Sequence, residues 1–202
     1  MVVHDLAFRA FPETAPQVDA RWLRRFDGWL RDGAAIIVPS EAARADLVEL
    51  ERVEPERVHV VHHGVDAESF RSASPEDTAQ ARRRFGLGEA PYVLFVGGIE
   101  PRKNLEALVG AFASLGAASE TRLVIAGGQV RWIRASADRL RAKIDALPSG
   151  VRERVILTGY VSDAERVALL GGATALAYPS LYEGFGFPIG RASCRERVCQ
   201  YV

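Results

Sequence analysis

Short continuous apolar runs alternate along the chain with longer stretches whose apolar residues recur at helical spacing. One such stretch is residues 17–31, in which the recurring apolar positions are Val18, Trp22, Phe26 and Trp29. The short runs predict buried strands, at residues 34–38, 57–61, 92–96, 122–126, 155–158 and 173–178. Alternation of this kind predicts an α/β fold with parallel sheets and right-handed helical crossovers.

Further helices are predicted between these strands. Ser40 is a typical N-cap for a helix that reaches about Glu51. One later helix is expected to end at Phe85 and another to begin near Lys103. Two more are expected at residues 130–147 and 163–170. Residues 71–90 differ in composition from their flanks, because a short charged helix follows the run SASP and glycines end it. The pattern therefore predicts a linker at 71–90 between a first domain over 1–70 and a second over 91–188.

The turns that follow parallel strands all lie at one edge of the sheet, where ligands of open α/β sheets bind. In the second domain these turns are residues 97–103, 127–128, 159–160 and 179–188. In the first domain they lie near His4, Ser40 and Gly64. We therefore expect the candidate chemistry to gather at these edges.

Composition and charge exclude several classes of protein. The 202 residues carry 26 Lys and Arg against 26 Asp and Glu, so the net charge is zero and no general attraction to nucleic acid is expected. No apolar run approaches the roughly 20 residues of a membrane span, and no signal peptide opens the chain. The expected location is the cytoplasm, with peripheral contact at the inner face of the membrane left open.

The first chemical candidate is the turn GGIEPRKN at residues 97–104. Gly97 and Gly98 allow a ligand to approach the backbone closely, and Arg102 and Lys103 place two cations before a helix. Lys103 and Lys143 are the only two lysines, and arginine supplies the other basic side chains. A lysine at position 103 therefore favours a requirement for a compact ammonium at this position. The turn therefore predicts a diphosphate site, against the alternative of an exposed basic turn. Its glycine spacing fits neither a Walker loop nor a dinucleotide fingerprint, which argues against an oxidoreductase.

The second candidate is the loop PSLYEGFGFP at residues 179–188. The Glu183 carboxylate can accept hydrogen bonds from sugar hydroxyls, and the Gly-Phe-Gly backbone can present its amides to a ligand. A tight loop with a merely solvated glutamate is the alternative.

Histidines and Ser40 give weaker signals. His4 follows a short apolar run, and taken alone it favours a structural role. His62 and His63 are adjacent, so their side chains are expected to point apart and no metal site is predicted. Ser40 fits a helix N-cap better than a nucleophile, since no nucleophile elbow surrounds it.

These motifs taken in order resemble the family-4 retaining glycosyltransferases of the GT-B fold. The resemblance covers nearly all of residues 1–188. It rests on HDLAF (4–8), IVPSEA (37–42), HGVD (63–66), YVLFVGGIEPRKNL (92–105), RLVIAGG (122–128), LTGYVSD (157–163) and AYPSLYEGFGFP (177–188).

The resemblance implies two Rossmann-like domains, of which residues 1–70 are the C-terminal part of the first and residues 91–188 most of the second, with the reaction in the cleft between them. It implies transfer of a hexose from a nucleotide-diphosphate sugar to a hydroxyl acceptor in glycan or glycolipid synthesis. Mannose from a GDP donor is a common pattern among such enzymes, and the residues leave UDP and GDP open. No metal or other cofactor is implied, because Arg102 and Lys103 supply the positive charge.

The resemblance also assigns roles to residues. Arg102 and Lys103 match the basic pair that binds the donor diphosphate in the family. Glu183 matches the glutamate that binds the sugar hydroxyls. His4 matches the histidine near the transferred sugar. The remaining matched positions are Gly97 and Gly98 in the basic turn, Tyr160 and Val161 near the nucleobase, and Gly184, Phe185, Gly186 and Phe187 in the loop that lines sugar and phosphate.

Two departures from the family pattern alter the expectation. A second glutamate should stand eight positions after Glu183, and Arg191 stands there. Both cysteines lie in residues 189–202, a segment that resembles translated sequencing adaptor, and the chain opens at the His-Asp motif. We therefore expect a fragment truncated at both ends with a non-native tail, and little transferase activity from it alone. A non-catalytic module that binds a nucleotide sugar or sugar phosphate is the alternative function.

Overall fold

The computed structural model describes residues 1–15, 18–33, 35–64, 73–116, 118–128 and 134–186. The chain divides into two compact units. The first comprises Met1–Gly64 together with Leu181–Gly186, and the second contains the described residues between 73 and 180. Both units are built from parallel strands and helices, which confirms the predicted α/β class.

In its described residues, the first unit has a parallel strand pair and three α-helices. Ile36 pairs with Val58, and Val2 makes a parallel bridge to Ile37, which extends the pairing by one more segment. Its elements are α1 (Ala7–Ala10), α2 (Ala20–Arg31), β1 (Ile36–Val38), α3 (Glu41–Glu51) and β2 (Val58–Val60).

Side chains from α2 and α3 cover the strand pair of the first unit. Phe26 and Leu30 from α2 are buried in one cluster with Leu47 of α3 and with Ile36 and Val38. Because these helical residues lie three or four positions apart, a single apolar face of each helix reaches the strands. Burial of this face holds the helices on the sheet.

Ion pairs of a single residue join α1, α2 and α3. The partly buried guanidinium of Arg9 forms ion pairs with Asp27 of α2 and Glu51 of α3. Together, the two carboxylates raise the pKa of Arg9, although burial by itself acts in the opposite direction. Arg9 therefore remains a charged link between elements that are distant in sequence.

Within its described residues, the second unit contains a four-stranded parallel sheet. The strand order is β5 (Val155–Gly159), β4 (Arg122–Ala126), β3 (Tyr92–Val96) and β6 (Ala175–Leu176). Leu94 and Phe95 in β3 are adjacent and both fully buried, so helices cover both faces of the sheet. The elements are α4 (Pro75–Arg84), β3 (Tyr92–Val96), α5 (Leu105–Ala113), β4 (Arg122–Ala126), α6 (Arg134–Asp145), α7 (Ser149–Arg152), β5 (Val155–Gly159), α8 (Asp163–Gly172) and β6 (Ala175–Leu176).

Helices α4 and α8 lie on the same face of this sheet as Tyr92. The Tyr92 hydroxyl donates a hydrogen bond to the carbonyl oxygen of Leu169 at 2.6 Å. Burial raises the pKa of Tyr92 to about 12, so the phenol remains a donor at neutral pH. Tyr92 therefore fastens α8 to the central strand of the sheet.

Element boundaries differ from the predictions in several places. The strand predicted at residues 173–178 is limited to Ala175–Leu176, since this edge strand pairs only with β3 and Pro179 follows. The helix predicted near Lys103 begins at Leu105, because Asn104 has a φ of 54° and separates it from a 3-10 turn at Pro101–Lys103. The start of the helix predicted over 130–147 lies partly outside the described residues, and the described part is α6.

Among the described ranges, no helix is long and apolar enough to cross a membrane.

We predict that Gly127→Ala strongly destabilises the second unit. Gly127 has a φ of +151°, and a Cβ there would lie 1.8 Å from the carbonyl oxygen of Gly97. Relief of this overlap requires the two strand ends to separate, so the free energy of unfolding should fall by about 3 kcal/mol or more. Urea titration followed by circular dichroism measures the change.

Gly110→Ala in α5 is the matched control, because a Cβ there meets only the Lys143 side chain, at an ordinary contact distance of 3.7 Å. Alanine favours a helix interior over glycine, so this variant should be stabilised by up to about 1 kcal/mol. Equal unfolding free energies for the two variants would contradict the close approach of the strand ends.

Candidate functional site

The carboxyl ends of the strands in the second unit meet as predicted. The amide of Gly97 donates to the carbonyl oxygen of Ala126 at 2.9 Å, and the amide of Gly127 donates to that of Gly159 at 2.9 Å. The amide of Ile99 also reaches the carbonyl oxygen of Gly128, at 3.3 Å. The turns after β3, β4 and β5 therefore lie side by side at one edge of the sheet.

Lys103 is buried at this edge. Only 5% of the residue is exposed, and its Nζ donates a hydrogen bond to the hydroxyl of Tyr178 at 3.0 Å. The same ammonium lies 4.8 Å from the centre of the Tyr178 ring, a cation–π distance. Tyr178 in turn stacks on Phe95 of β3, with ring centroids 5.3 Å apart. Lys103 is thus a fixed cation rather than part of an exposed basic turn.

Arg102 occupies the same 3-10 turn but has a different environment. Its Nε donates to Oε2 of Glu100 at 2.9 Å, and both side chains are largely covered. Glu100 therefore orients this guanidinium and offsets part of its charge. The turn holds one buried ammonium and one guanidinium paired with a carboxylate.

The segment after β5 presents one exposed and one buried side chain. Tyr160 is 83% exposed, at the same edge as the basic turn. Val161 is 9% exposed and belongs to the core cluster that contains Leu94 and Leu169, so its side chain serves the core. Of these two predicted residues, Tyr160 is the one whose ring is open to a ligand.

Ser180 is a further polar group close to this edge in sequence. Its hydroxyl oxygen is buried and has no hydrogen-bond partner among the residues that the structure describes. The sequence pattern did not single out this serine, although it stands directly after Pro179, which follows the strand predicted at 173–178.

Glu183 belongs to the loop Leu181–Gly186, which forms part of the first unit. On one side of Glu183, the Tyr182 hydroxyl accepts a hydrogen bond from the amide of Leu6 at 3.2 Å and donates one to the Asp46 carboxylate. On the other side, the hydroxyl of Ser40 donates to the carbonyl oxygen of Gly184 at 2.5 Å. Glu183 therefore stands between two anchored neighbours.

Gly184 lies against the main chain of His4. A Cβ on Gly184 would be 2.1 Å from the carbonyl oxygen of His4 and 2.9 Å from the Asp5 side chain. This contact requires glycine and brings the predicted His4 segment together with the predicted Glu183 loop.

Aromatic contacts add to this arrangement. The rings of His4 and His63 stack with centroids 5.5 Å apart, and His63 meets Phe185 edge-on at 5.2 Å. His62 also approaches Phe185, at 6.0 Å, and its Nδ1 is 3.0 Å from the carbonyl oxygen of Pro39. One phenyl ring therefore contacts both of the adjacent histidines.

No group of three or more His, Cys, Asp or Glu side chains within the described ranges is arranged to hold a metal ion. Of the predicted loop residues, Phe187 lies outside the described residues, as do Arg191 and the tail at 189–202.

The sequence reasoning missed Asp46, Tyr178 and Tyr182, and recognised Ser40 only as a helix cap. The Ser40 cap is confirmed by a 3.1 Å bond from the amide of Ala43. Tyr178 and Tyr182 stand inside a motif that was recognised, so their hydroxyls were available as a signal. Asp46 carries no local signal, because it lies 136 positions before its partner.

Family models match almost the whole chain. The model described as glycosyl transferases group 1 matches residues 77–192, and the model described as glycosyltransferase family 4 matches residues 1–69. A D-inositol 3-phosphate glycosyltransferase of Mycobacterium sp. (strain KMS) is 37% identical over 152 residues, which cover 75% of this chain and 33% of that protein. The O-antigen chain mannosyltransferase B of Escherichia coli is 29% identical over 197 residues, which cover 95% of this chain and 49% of that protein.

Solved structures show the same fold. The Anabaena HepE protein in complex with UDP-glucose has a TM-score of 0.78 and 22% identity, over 95% of this chain and 49% of that chain. WaaG, a glycosyltransferase involved in lipopolysaccharide biosynthesis, has a TM-score of 0.67 and 21% identity, over 95% of this chain and 52% of that chain. The expected GT-B class is thereby confirmed.

The chain spans about a third of the length of the mycobacterial relative and about half of the Escherichia coli one. The group 1 model covers more than half of the chain, in order with a family 4 match before it. The chain therefore belongs to the glycosyl transferases group 1 family.

Proposed function

We propose that the protein transfers a hexose from a nucleotide-diphosphate sugar to a hydroxyl acceptor in glycan or glycolipid synthesis, with retention of the anomeric configuration. The observation that carries the proposal is Lys103, a buried and oriented ammonium at the carboxyl edge of a parallel sheet. Relatives named as an inositol-phosphate glycosyltransferase and a mannosyltransferase support the reaction class. Mannose is one candidate for the transferred sugar.

Lys103 and Arg102 would bind the donor diphosphate. An ammonium held by Tyr178 has already lost its rotamer freedom, so binding an anion costs it little further entropy. During transfer, negative charge grows on the leaving diphosphate, and two fixed cations stabilise it in the transition state. This role would replace the charge that a metal ion supplies in other transferases, so the proposal includes no metal.

Gly97 and Gly98 would line the diphosphate. Because Gly97 and Gly98 carry no side chains, a ligand could lie directly on the main chain of this turn. Tyr160, exposed at the same edge, would contact the nucleobase together with the main chain of Val161.

Glu183 would accept hydrogen bonds from the hydroxyls of the donor sugar. A carboxylate accepts at two oxygens, and its bonds to neutral donors are stronger than those of an amide. The amides of Gly184, Phe185 and Gly186, with Phe187, would complete the contacts to sugar and phosphate. His4 would lie near the transferred sugar, because its main chain touches the residue that follows Glu183.

Calorimetry with UDP, GDP and their sugars, followed by transfer assays with glycan and lipid-linked acceptors, tests the proposal directly. Binding of a nucleotide sugar with transfer supports it. Binding without transfer by the full-length gene product supports the alternative of a non-catalytic binding protein. Absence of binding by the full-length product would refute both.

We predict that Lys103→Gln weakens the binding of the preferred nucleoside diphosphate about tenfold or more. The loss follows from removing a charge-assisted contact, which is worth about 1.5–3 kcal/mol. Lys143→Gln is the matched control, since Lys143 is the only other lysine and is exposed on α6. Calorimetric dissociation constants that are equal for the two variants would contradict the assignment, and thermal melts establish that both are folded.

We predict that Glu183→Gln separates sugar recognition from diphosphate recognition. The affinity for the nucleotide sugar should fall about tenfold, because an amide has one acceptor oxygen and adds donors where the sugar also donates. The affinity for the nucleoside diphosphate alone should stay within about twofold. Glu56→Gln, at an exposed glutamate of the same unit, serves as control. An equal loss for both ligands would show that Glu183 does not recognise the sugar.

A further inference from the structure

A hydrogen-bonded anchor sits directly before Glu183. The Tyr182 hydroxyl accepts from the amide of Leu6 and donates to the carboxylate of Asp46. The Tyr182 ring lies 6.1 Å from the ring of Phe11, so an apolar contact accompanies the two polar ones. Three separate segments of the first unit thus meet at one side chain of the loop.

The second anchor sits directly after Glu183. The Ser40 hydroxyl donates a hydrogen bond to the carbonyl oxygen of Gly184. As the N-cap of α3, the same hydroxyl accepts a hydrogen bond from the amide of Ala43. Asp46 lies on the same helix, within two turns of that cap. The two anchors therefore come from one rigid element, and a site is held more accurately by a helix than by a loop.

We propose that Tyr182 and Asp46, with Ser40, are positioning residues that set the place and direction of the Glu183 carboxylate. Glu183 stands between two residues whose main chain or side chain is bonded to α3 and to the Leu6 segment. Rotation about the backbone at Glu183 is limited by both neighbours at once. This inference rests on the proposed role of Glu183 in sugar binding.

The chemistry of the pair suits a permanent anchor. Burial raises the pKa of Tyr182 well above its ordinary value, and the bond to the Asp46 carboxylate raises it further. The phenol is therefore protonated throughout the physiological range and always able to donate. Asp46 is then one half of a charge-assisted hydrogen bond, a stronger bond than one between neutral groups.

The same anchor also fixes the His4 segment. Leu6 bonds to the Tyr182 hydroxyl, and the carbonyl oxygen of His4 lies against Gly184. A shift of the loop would therefore move the two segments that carry His4 and Glu183 relative to each other. Displacements of about 1 Å at such groups can reduce catalysis by about a hundredfold.

The test compares Tyr182→Phe, Asp46→Ala and the double variant with the unchanged chain. Phenylalanine keeps the ring against Phe11 and removes only the hydroxyl. Two quantities are measured. The first is the rate of amide hydrogen exchange in the peptide covering 181–186. The second, called the sugar factor, is the dissociation constant of the nucleoside diphosphate divided by that of the nucleotide sugar. Tyr92→Phe is the matched control, because it also loses a buried tyrosine hydroxyl bond, in the other unit.

We expect both single variants to speed exchange in the loop and to reduce the sugar factor about fivefold or more, with diphosphate affinity unchanged within about twofold. The double variant should be no worse than the stronger single variant, because both changes break the same bond. Asp46→Asn retains an acceptor oxygen, so this variant should keep most of the slow exchange and most of the sugar factor of the unchanged chain. Tyr92→Phe should lower the melting temperature without changing either quantity.

Unchanged loop exchange in Tyr182→Phe would overturn the anchor, whether or not a ligand binds. Faster exchange with an unchanged sugar factor would overturn the positioning role and leave the proposed function standing. A full-length gene product that binds no nucleotide sugar would overturn the proposed function, and with it the positioning role, while the exchange data would still decide whether the anchor holds the loop.

Discussion

The burial of one ammonium group links the fold of the second unit to its candidate chemistry. A buried cation is costly unless nearby polar groups or ring faces stabilise it. Lys103 obtains both from Tyr178, whose hydroxyl accepts a hydrogen bond from the ammonium and whose ring lies within cation–π distance. Tyr178 reaches this place because β6 pairs with β3, so that the chain after β6 comes beside the turn after β3. The sheet order is thus a condition for an oriented cation at the carboxyl edge.

In the first unit, hydrogen bonds of neutral and acidic side chains hold the loop that carries Glu183. A glutamate on an isolated loop would sample many directions, and ordering it only on binding would cost affinity. Here the loop Leu181–Gly186 is bonded to α3 and to the Leu6 segment through Tyr182 and Gly184. The ordering cost is met when the unit folds, which leaves binding energy for the ligand.

Membership of the glycosyl transferases group 1 family and a GT-B fold give these features a common interpretation. A donor composed of a nucleoside, a diphosphate and a sugar needs an open aromatic ring, a cation and a hydroxyl acceptor. In the proposed function, Tyr160, Lys103 and Glu183 would supply these three kinds of group. Each is held by its own local arrangement, so single substitutions can separate their roles.

Local sequence predicted the elements that depend on local physics. The strands at 92–96 and 122–126 are found with those bounds, because an apolar run bounded by glycine has few other stable conformations in a folded domain. The helix beginning after Ser40 is likewise found, since a serine hydroxyl caps free amides wherever a helix follows it. The last strand was predicted too long, because its length depends on pairing with β3 rather than on its own residues.

The sequence by itself determined the α/β class and the approximate positions of the strand ends, and it identified Lys103 and Glu183 as candidate site residues. Hydrophobic spacing and motif chemistry are properties of a few neighbouring residues, so they can be recognised locally. Only the tertiary structure decided that Lys103 is buried against Tyr178 and that Asp46 holds Tyr182. These pairs are 75 and 136 positions apart. Contacts across such distances form through strand order and helix packing, which no local pattern encodes.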